Sequence, residues 1–438
     1  MADPAGLPNG PLLQPGALEG IRILELGTLI AGPLATRIMA DFGAEVIKVE
    51  PPGGGDPLRT WGTLTPHGSL WSLVQTRNKK TITLDLKNPR AREVVRRLAS
   101  KCDVVIENFR PGKLEEWGLG YEDLKEANPD LIMVRVSGFG QTGPYRDRPG
   151  FGNIAESMGG IRYITGYPDR PPVRVGLSIG DAVAALYAVI GTLLALHRRD
   201  AAAAQGRGAN GQGREAKGQG REAKGQGRGA GGQGQVVDVA LTEAVFSLME
   251  SILPEYASFG VVRERLGNTL AVTAPSNIYR TGDGKWVAIG GNGPGIFRRL
   301  TAIIGQPELA DDPRFKDNPS RVANVQELDE IISAWTGSHP MEELLKLLEE
   351  AEVPSGPVHS IADIVADPQF QSRGMIVEKE DPRVGKITMP GVVPVLSETP
   401  GQINWVGPNP GAFNQEIYSD LLGLSAEEIE ALAREGVI

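Results

Sequence analysis

GlyIleArgIleLeuGluLeuGlyThrLeuIleAlaGlyPro (20–33), followed by AspPheGlyAlaGluValIleLysValGluProPro (41–52), decides the fold. Residues 21–26 read as a buried strand, Gly27 as a turn, and the stretch from about Pro33 to Phe42 as a helix. Residues 45–50 form a second strand, stopped by the breaker run ProProGlyGlyGlyAsp (51–56). Two apolar strands joined through a helix imply a right-handed parallel unit. Working outward, strands are expected at 80–86, 103–107 and 131–137, with helices from about Pro89 to Ser100 and near Tyr121–Ala127. The first 140 residues therefore read as a doubly wound, Rossmann-like α/β sheet.

Past this sheet, a long apolar helix is expected over Ala182–Arg199, with Asp181 immediately before it. The composition then changes: GlyGlnGlyArgGluAlaLys stands at 211–217 and again at 218–224, and GlyGlnGlyArgGlyAlaGly at 225–231. A seven-residue period with no apolar pair and repeated glycines cannot make a coiled-coil seam, so the tract reads as a solvated insertion. Alternating Glu residues weaken the other reading, an Arg/Gly segment on RNA or phosphate. A strand at 235–241 leads into a second, smaller α/β unit. There GlyAspGly (282–284) joins strands 277–281 and 285–290 as a hairpin, with helices over 294–304, 325–335 and 341–350. Short strands to about 395 and a helix at 425–434, opened by the capping box SerAlaGluGlu (425–428), close the chain. The domain boundaries expected are 1–200 for the large domain, 201–244 for a linker, 245–337 for the small domain and 338–438 for the return.

The 438 residues carry a net charge of −9, which gives no general basic surface for nucleic acid, although a local basic cleft can still hold an anion. One cysteine, Cys102, allows no internal disulfide and reads as a buried thiol. Four scattered histidines make no zinc motif, so no metal is expected. The N-terminus lacks the pattern of a signal peptide. The longest apolar stretch, Ala182–Leu196, falls short of a membrane span, so a cytoplasmic protein is expected.

Three features could carry chemistry. Asp181, at or near a helix N-terminus, sits where backbone N–H groups and the helix dipole favour a carboxylate, the setting of a simple cap or of a nucleophile. IleGlyGlyAsnGlyPro (289–294) runs from a strand through glycines into a helix. This is the form of a tight connection, or of a loop whose N–H groups meet a ligand oxygen. GluAsnPheArgProGlyLys (107–113) ends a parallel strand, where Arg110 and Lys113 could meet phosphates, and ArgAsnLysLys (77–80) is a second source of such charge.

Together with GlyPheGlyGlnThrGlyProTyr (138–145), ValGlyLeuSerIleGlyAsp (175–181), ValProSerGlyProVal (353–358) and AspProGlnPhe (367–370), these segments resemble the class III CoA-transferases. That family includes formyl-CoA transferase and carnitine CoA-transferase, with acyl-CoA racemases as relatives. The resemblance implies that Asp181 attacks an acyl-CoA to give a mixed anhydride and then an aspartyl-CoA thioester, with CoA as substrate and no prosthetic group. It implies a mobile loop at Gly290, Gly291 and Gly293 that shields the intermediate, with Asn292 interrupting the usual glycine run. It implies CoA contacts at Leu84, Lys87, Asn108, Phe109 and Arg110. Ile30 and Phe151 stand where formyl-CoA transferase has a glutamine and a tyrosine, which argues against formyl and oxalate as substrates. Racemases of this kind place a histidine–aspartate pair where this chain has ProGlyPheGlyAsnIleAlaGluSer (149–157), so transfer is favoured over racemisation; a non-catalytic CoA-binding protein is the other alternative. The resemblance further implies a ring-shaped chain in an interlocked homodimer, or a heteromer with a paralogue. Arg162 or Arg174 is expected to clamp the distal carboxylate of a dicarboxylic acid such as succinate, malate or citramalate.

Overall fold

A computed structural model describes residues 15–66, 68–209 and 233–438. His67 and the repeats at 211–231 lie outside the described residues. The chain divides into two compact units: residues 1–159, 177–248 and 374–438 make the first, and 160–176 with 249–373 the second.

The first unit is built on β1 (Arg22–Glu25), α1 (Ala31–Asp41), β2 (Glu45–Glu50), β3 (Lys79–Thr83), α2 (Pro89–Ala99), β4 (Val104–Glu107), α3 (Tyr121–Ala127), β5 (Ile132–Ser137), α4 (Gly152–Met158), α5 (Ile179–Ala209) and β6 (Val236–Ala240). The six strands are all parallel, in the order β3-β2-β1-β4-β5-β6. This is the doubly wound order whose switch point lies between the first and fourth strands. Alternate residues serve opposite faces. Leu24, Ile47, Val49, Ile82, Val105 and Met133 join α2, α3 and the C-terminal segment in one core, which also takes in Cys102. The other face carries α1 and α5, where Ala184, Ala185 and Ala188 let the helix lie close to the sheet. The C-terminal segment covers edge strand β3, with the Phe413 N–H donating to the Thr81 carbonyl at 3.0 Å and the Tyr418 hydroxyl to the Thr83 carbonyl at 2.6 Å. An otherwise open strand edge is thereby blunted.

The second unit holds a three-stranded antiparallel sheet: β7 (Ser276–Arg280), β8 (Trp286–Gly290) at its centre and β9 (Ser355–Pro357). Around it pack α6 (Pro294–Ile304), α7 (Asn318–Ala323), α8 (Val325–Thr336) and α9 (Met341–Glu350). The expected hairpin at 282–284 is present. In the last part, β10 (Ile376–Asp381) and β11 (Gly385–Pro390) form a further hairpin, and α10 (Ala426–Arg434) starts from Ser425 with both halves of its capping box made.

Three expectations change. Residues 338–373 were assigned to a return segment, but Met341, Leu344 and Leu348 of α9 are core residues of the second unit. Strand 236–240, placed in a linker, is the edge strand of the first unit's sheet. The long helix begins at Ile179 and runs on past HisArgArg (197–199) to Ala209, with Arg199 paired to Asp103 at 3.1 Å. The segment Ile179–Gln205 holds an 18-residue window of mean hydropathy 2.0 and is, by length and composition alone, long and apolar enough to cross a membrane, contrary to the shorter span read from the sequence. Here it packs on α1, β5 and β6.

Candidate active site

At the switch point the chain leaves β1 through Gly27, Thr28 and Leu29. Asn108, just beyond β4, turns both ends of its amide onto this turn: Oδ1 accepts from the Thr28 N–H at 2.9 Å and Nδ2 donates to the Thr28 carbonyl at 2.8 Å. Leu29 has φ 64, a left-handed conformation rare for a residue with a branched side chain. Its N–H donates to both Asp56 oxygens, at 3.1 and 3.2 Å. Beneath the turn, Lys48 donates to Glu25 (2.7 Å), Asp56 (2.8 Å) and the Gly27 carbonyl (3.1 Å). Lys79 donates to Glu25 (2.8 Å) and the Pro33 carbonyl (2.7 Å), and Thr36 also donates to Glu25. Arg59 binds both oxygens of Glu50, each at 2.6 Å. Glu25, Glu50 and Asp56 thus balance Lys48, Lys79 and Arg59 in a buried network. Burial works against ionisation at Glu25 and Asp56, but the neighbouring lysines outweigh it and hold both carboxyls below their ordinary range. Burial, with Lys48 alongside, pulls Lys79 down to about 8 despite Glu25.

This network corrects one expectation. Of ArgAsnLysLys (77–80), Arg77 is buried on Asp41 at 2.7 Å, Asn78 donates to Asp41, Lys79 serves Glu25, and Lys80 is shared by Glu45 and Glu416. These groups neutralise the protein's own carboxylates instead of facing a phosphate. Leu84 is a core side chain whose N–H donates to the Glu50 carbonyl. Phe109 packs edge-on to Trp117, with centroids 5.3 Å apart, while Lys87 and Arg110 are exposed. Lys113 lies over Trp117 and pairs with Glu116. Behind Asn108, burial pushes Glu107 up to about 7, because its partner Arg135 is shared with Glu115.

Asp181 occupies the first turn of α5, two residues inside the helix where the sequence suggested a position just before it. What brings it to its place is a pair of glycines. A β-carbon on Gly152, the first residue of α4, would fall 2.1 Å from Asp181 Oδ2, and one on Gly180 would fall 2.8 Å from the Gly152 carbonyl oxygen. The starts of α4 and α5 therefore meet backbone to backbone, with the half-buried carboxylate against Gly152. Glu156, one turn further along α4, is a buried carboxylate whose Cγ lies 3.4 Å from the position of a Gly180 β-carbon. Sequence reasoning missed Gly152 and Glu156. The only signal for either was PheGly (151–152), a glycine where a helix begins. Ile30 is half-buried, its carbonyl accepting from Gln75 at 3.1 Å, and Phe151 is 67% exposed.

In the second unit, β8 runs through Gly290, Gly291, Asn292 and Gly293 into α6. Two of the N–H groups expected to face a ligand are already used: Gly290 donates to the Pro354 carbonyl and Gly291 to the Pro275 carbonyl, both at 2.9 Å. A β-carbon on Gly291 would lie 2.7 Å from Leu300 Cδ2 and 2.9 Å from Pro275 Cγ, so glycine is needed there for close packing. Among the described residues the N–H groups of Asn292 and Gly293 donate to no protein acceptor, which leaves these two to meet a ligand. Arg162 is half-buried in the helical turn Ile161–Ile164, and Arg174 is exposed in the extended stretch after it. Among the described residues no cluster of three His, Cys, Asp or Glu side chains could hold a metal.

The parallel sheet and the Gly-Asp helix start define an α/β protein with a carboxylate poised at a helix N-terminus. The model of CoA-transferase family III matches residues 18–211 and 223–414, and the chain belongs to that family. It is 49% identical over 425 residues to succinyl-CoA–D-citramalate CoA-transferase of Chloroflexus aurantiacus, covering 97% of this chain and 98% of that one. It is 39% identical over 439 residues to the alpha subunit of succinyl-CoA–L-malate CoA-transferase of the same organism, covering 98% and 96%. The crystal structure of a CAIB/BAIF family protein from Brucella suis, 33% identical, superposes with a TM-score of 0.75 over 93% of this chain and all of that one. The protein is a CoA-transferase: it moves CoA from an acyl-CoA to a carboxylic acid.

Proposed function

We propose that Asp181 carries this transfer covalently, with succinyl-CoA as donor and a hydroxy-dicarboxylic acid of the citramalate type as acceptor. The carboxylate of Asp181 attacks the thioester carbonyl, the C–S bond breaks, and a mixed anhydride and CoA thiolate result. The thiolate then attacks the aspartyl carbonyl of the anhydride, giving an aspartyl-CoA thioester and releasing succinate. The acceptor carboxylate attacks this thioester to form a second anhydride. The thiolate next attacks the acceptor's carbonyl, and Asp181 leaves as the free carboxylate. No oxidant or external proton is needed. The observation that carries the reading is Asp181 in the first turn of a long helix, an end that favours negative charge, with its oxygen fitted against Gly152.

The names of the two relatives support the choice of donor and acceptor. In the same reaction the turn at 290–293 supplies N–H groups to the oxyanion and keeps water from the intermediates. The CoA moiety lies at the carboxyl ends of the first unit's strands, near Phe109 and Arg110. The protein works as a pair of identical chains, interlocked as the resemblance implies. The alpha-subunit relative favours a second arrangement, with a paralogous partner, and sedimentation of the purified chain tells the two apart.

Hydroxylamine trapping during turnover, read by mass spectrometry, should mark Asp181 in the wild type and nothing in Asp181→Asn, whose exchange of labelled succinate into succinyl-CoA should fall at least about a thousandfold. Full-speed exchange by the amide variant would end the reading. Arg162→Ala should weaken use of dicarboxylic acceptors about a hundredfold and leave monocarboxylic ones unchanged, as loss of a bidentate pair predicts. Equal effects on both classes would remove Arg162 from substrate recognition.

A further inference from the structure

Arg321, in α7, is fully buried, yet among the described residues none of its hydrogen-bond partners is a carboxylate. Its Nε donates to the Ala274 carbonyl at 2.7 Å, one terminal nitrogen to the Phe315 carbonyl at 3.1 Å, and the other to the Asn292 carbonyl at 2.6 Å. The guanidinium lies over the ring of Phe297, in the first turn of α6, 4.6 Å from its centroid. The acid closest in sequence, Asp317, is exposed and caps its own helix through the Ser320 N–H at 2.8 Å. A buried cation held by main-chain carbonyls and one ring face, with no carboxylate hydrogen-bonded to it, is a costly choice for stability alone, since an apolar side chain of similar volume would fill the space without that cost. What a guanidinium adds is planarity: its donors bring three backbone segments to fixed points around one plane.

One of those segments is the turn already assigned to the oxyanion. In a trans peptide the C=O of Asn292 and the N–H of Gly293 point in opposite directions. Drawing the carbonyl onto Arg321 therefore aims the Gly293 N–H away from Arg321. A charged donor on the carbonyl also polarises the peptide and strengthens that N–H as a donor. We propose that Arg321 is a positioning residue for the reaction, fixing the direction of the Gly293 N–H from behind the turn without touching substrate. The proposal rests on the reading of the 290–293 turn given above.

Arg321→Lys keeps a charge but cannot hold three carbonyls in a plane. It should lower kcat roughly tenfold to a hundredfold, less than the outright loss of an oxyanion donor, and leave KM for succinyl-CoA within about twofold. Amide exchange should speed up at 290–297 while β7 and β8 keep their protection. If the loss of kcat comes with faster exchange across the whole second unit, Arg321 is only structural. If 290–297 loosens and kcat stays, the turn is not used in the chemistry. Either result overturns the proposal. Should the lysine variant not fold, Phe297→Leu removes the ring beneath the guanidinium and leaves its carbonyls in place. A smaller fall in kcat with faster exchange at Gly293 is expected, and no change in either rejects the proposal. Asp181→Asn, assayed alongside, separates this outcome from failure of the covalent reading: if it still transfers CoA, that reading falls whatever Arg321 does.

Discussion

Two turns in this protein carry the chain from a central strand of a sheet into a helix: the one after β1 and the one after β8. They are secured to different extents. In the turn after β1 both halves of the peptides are taken: the Thr28 and Leu29 N–H groups donate to Asn108 and Asp56, and the Gly27 and Thr28 carbonyls accept from Lys48 and Asn108, so the place where doubly wound folds often hold a phosphate is filled by the protein's own groups. The turn after β8 is held partly through a carbonyl, that of Asn292 on Arg321, and the N–H that follows is left for something else. The comparison teaches that a strand-to-helix connection can offer N–H groups to a ligand only where the fold leaves some of them unused.

Breaking the second turn should have the largest effect. Gly291→Ala puts a methyl group within 2.7–2.9 Å of Leu300 and Pro275, so the turn must shift. Steady-state kinetics should show kcat reduced about a hundredfold to a thousandfold, as for a lost oxyanion donor. A normal kcat would mean that the turn's position does not matter to the reaction.

Asp56→Asn attacks the first turn. It leaves Lys48 with Glu25 as its remaining carboxylate partner and upsets a balanced buried network, at a cost of about 3 kcal/mol by urea unfolding, the low end for breaking a buried pair. Turnover per folded molecule should hardly change, because this turn faces the protein's own groups. A large drop in kcat at unchanged stability would reverse the contrast between the two turns.

The pH dependence of stability sharpens the picture at the switch point. Glu107, next to Asn108, has its folded pKa raised to about 7 by burial, against 4.5 for the free side chain. Between these values the folded state binds the extra proton, so Glu107's contribution is fully present below the unfolded pKa and is lost as pH rises through about 7. Across that window it amounts to about 3 kcal/mol. Glu107→Gln should flatten this part of the urea-midpoint profile, and an unchanged slope would assign it to other groups.

Much of the architecture was legible from local pattern. Apolar runs bounded by Gly and Pro placed β1, β2, β4 and β5 within about two residues, and Ser425 with Glu428 announced α10. Asp181 was legible as well, since an acid after GlyLeuSerIleGly at the head of an apolar helix is itself a local arrangement. Residues defined by distant partners were not. Lys79 looked like a phosphate ligand because the sequence cannot show Glu25 beneath it, and nothing in the sequence marked Arg321. Gly290 and Gly291 looked like open donors because the carbonyls of Pro354 and Pro275 approach them only in the folded sheet.

The sequence by itself determined most of the strands and helices, the family and the place of Asp181 at the head of a long helix, because periodicity, chain breakers and motif spacing are properties of neighbouring residues. The tertiary structure alone decided which charges are spent on one another, which N–H groups remain, and that Gly152 makes room for the Asp181 carboxylate. Those outcomes depend on hydrogen bonds and contacts that act over a few ångströms between segments far apart in the chain.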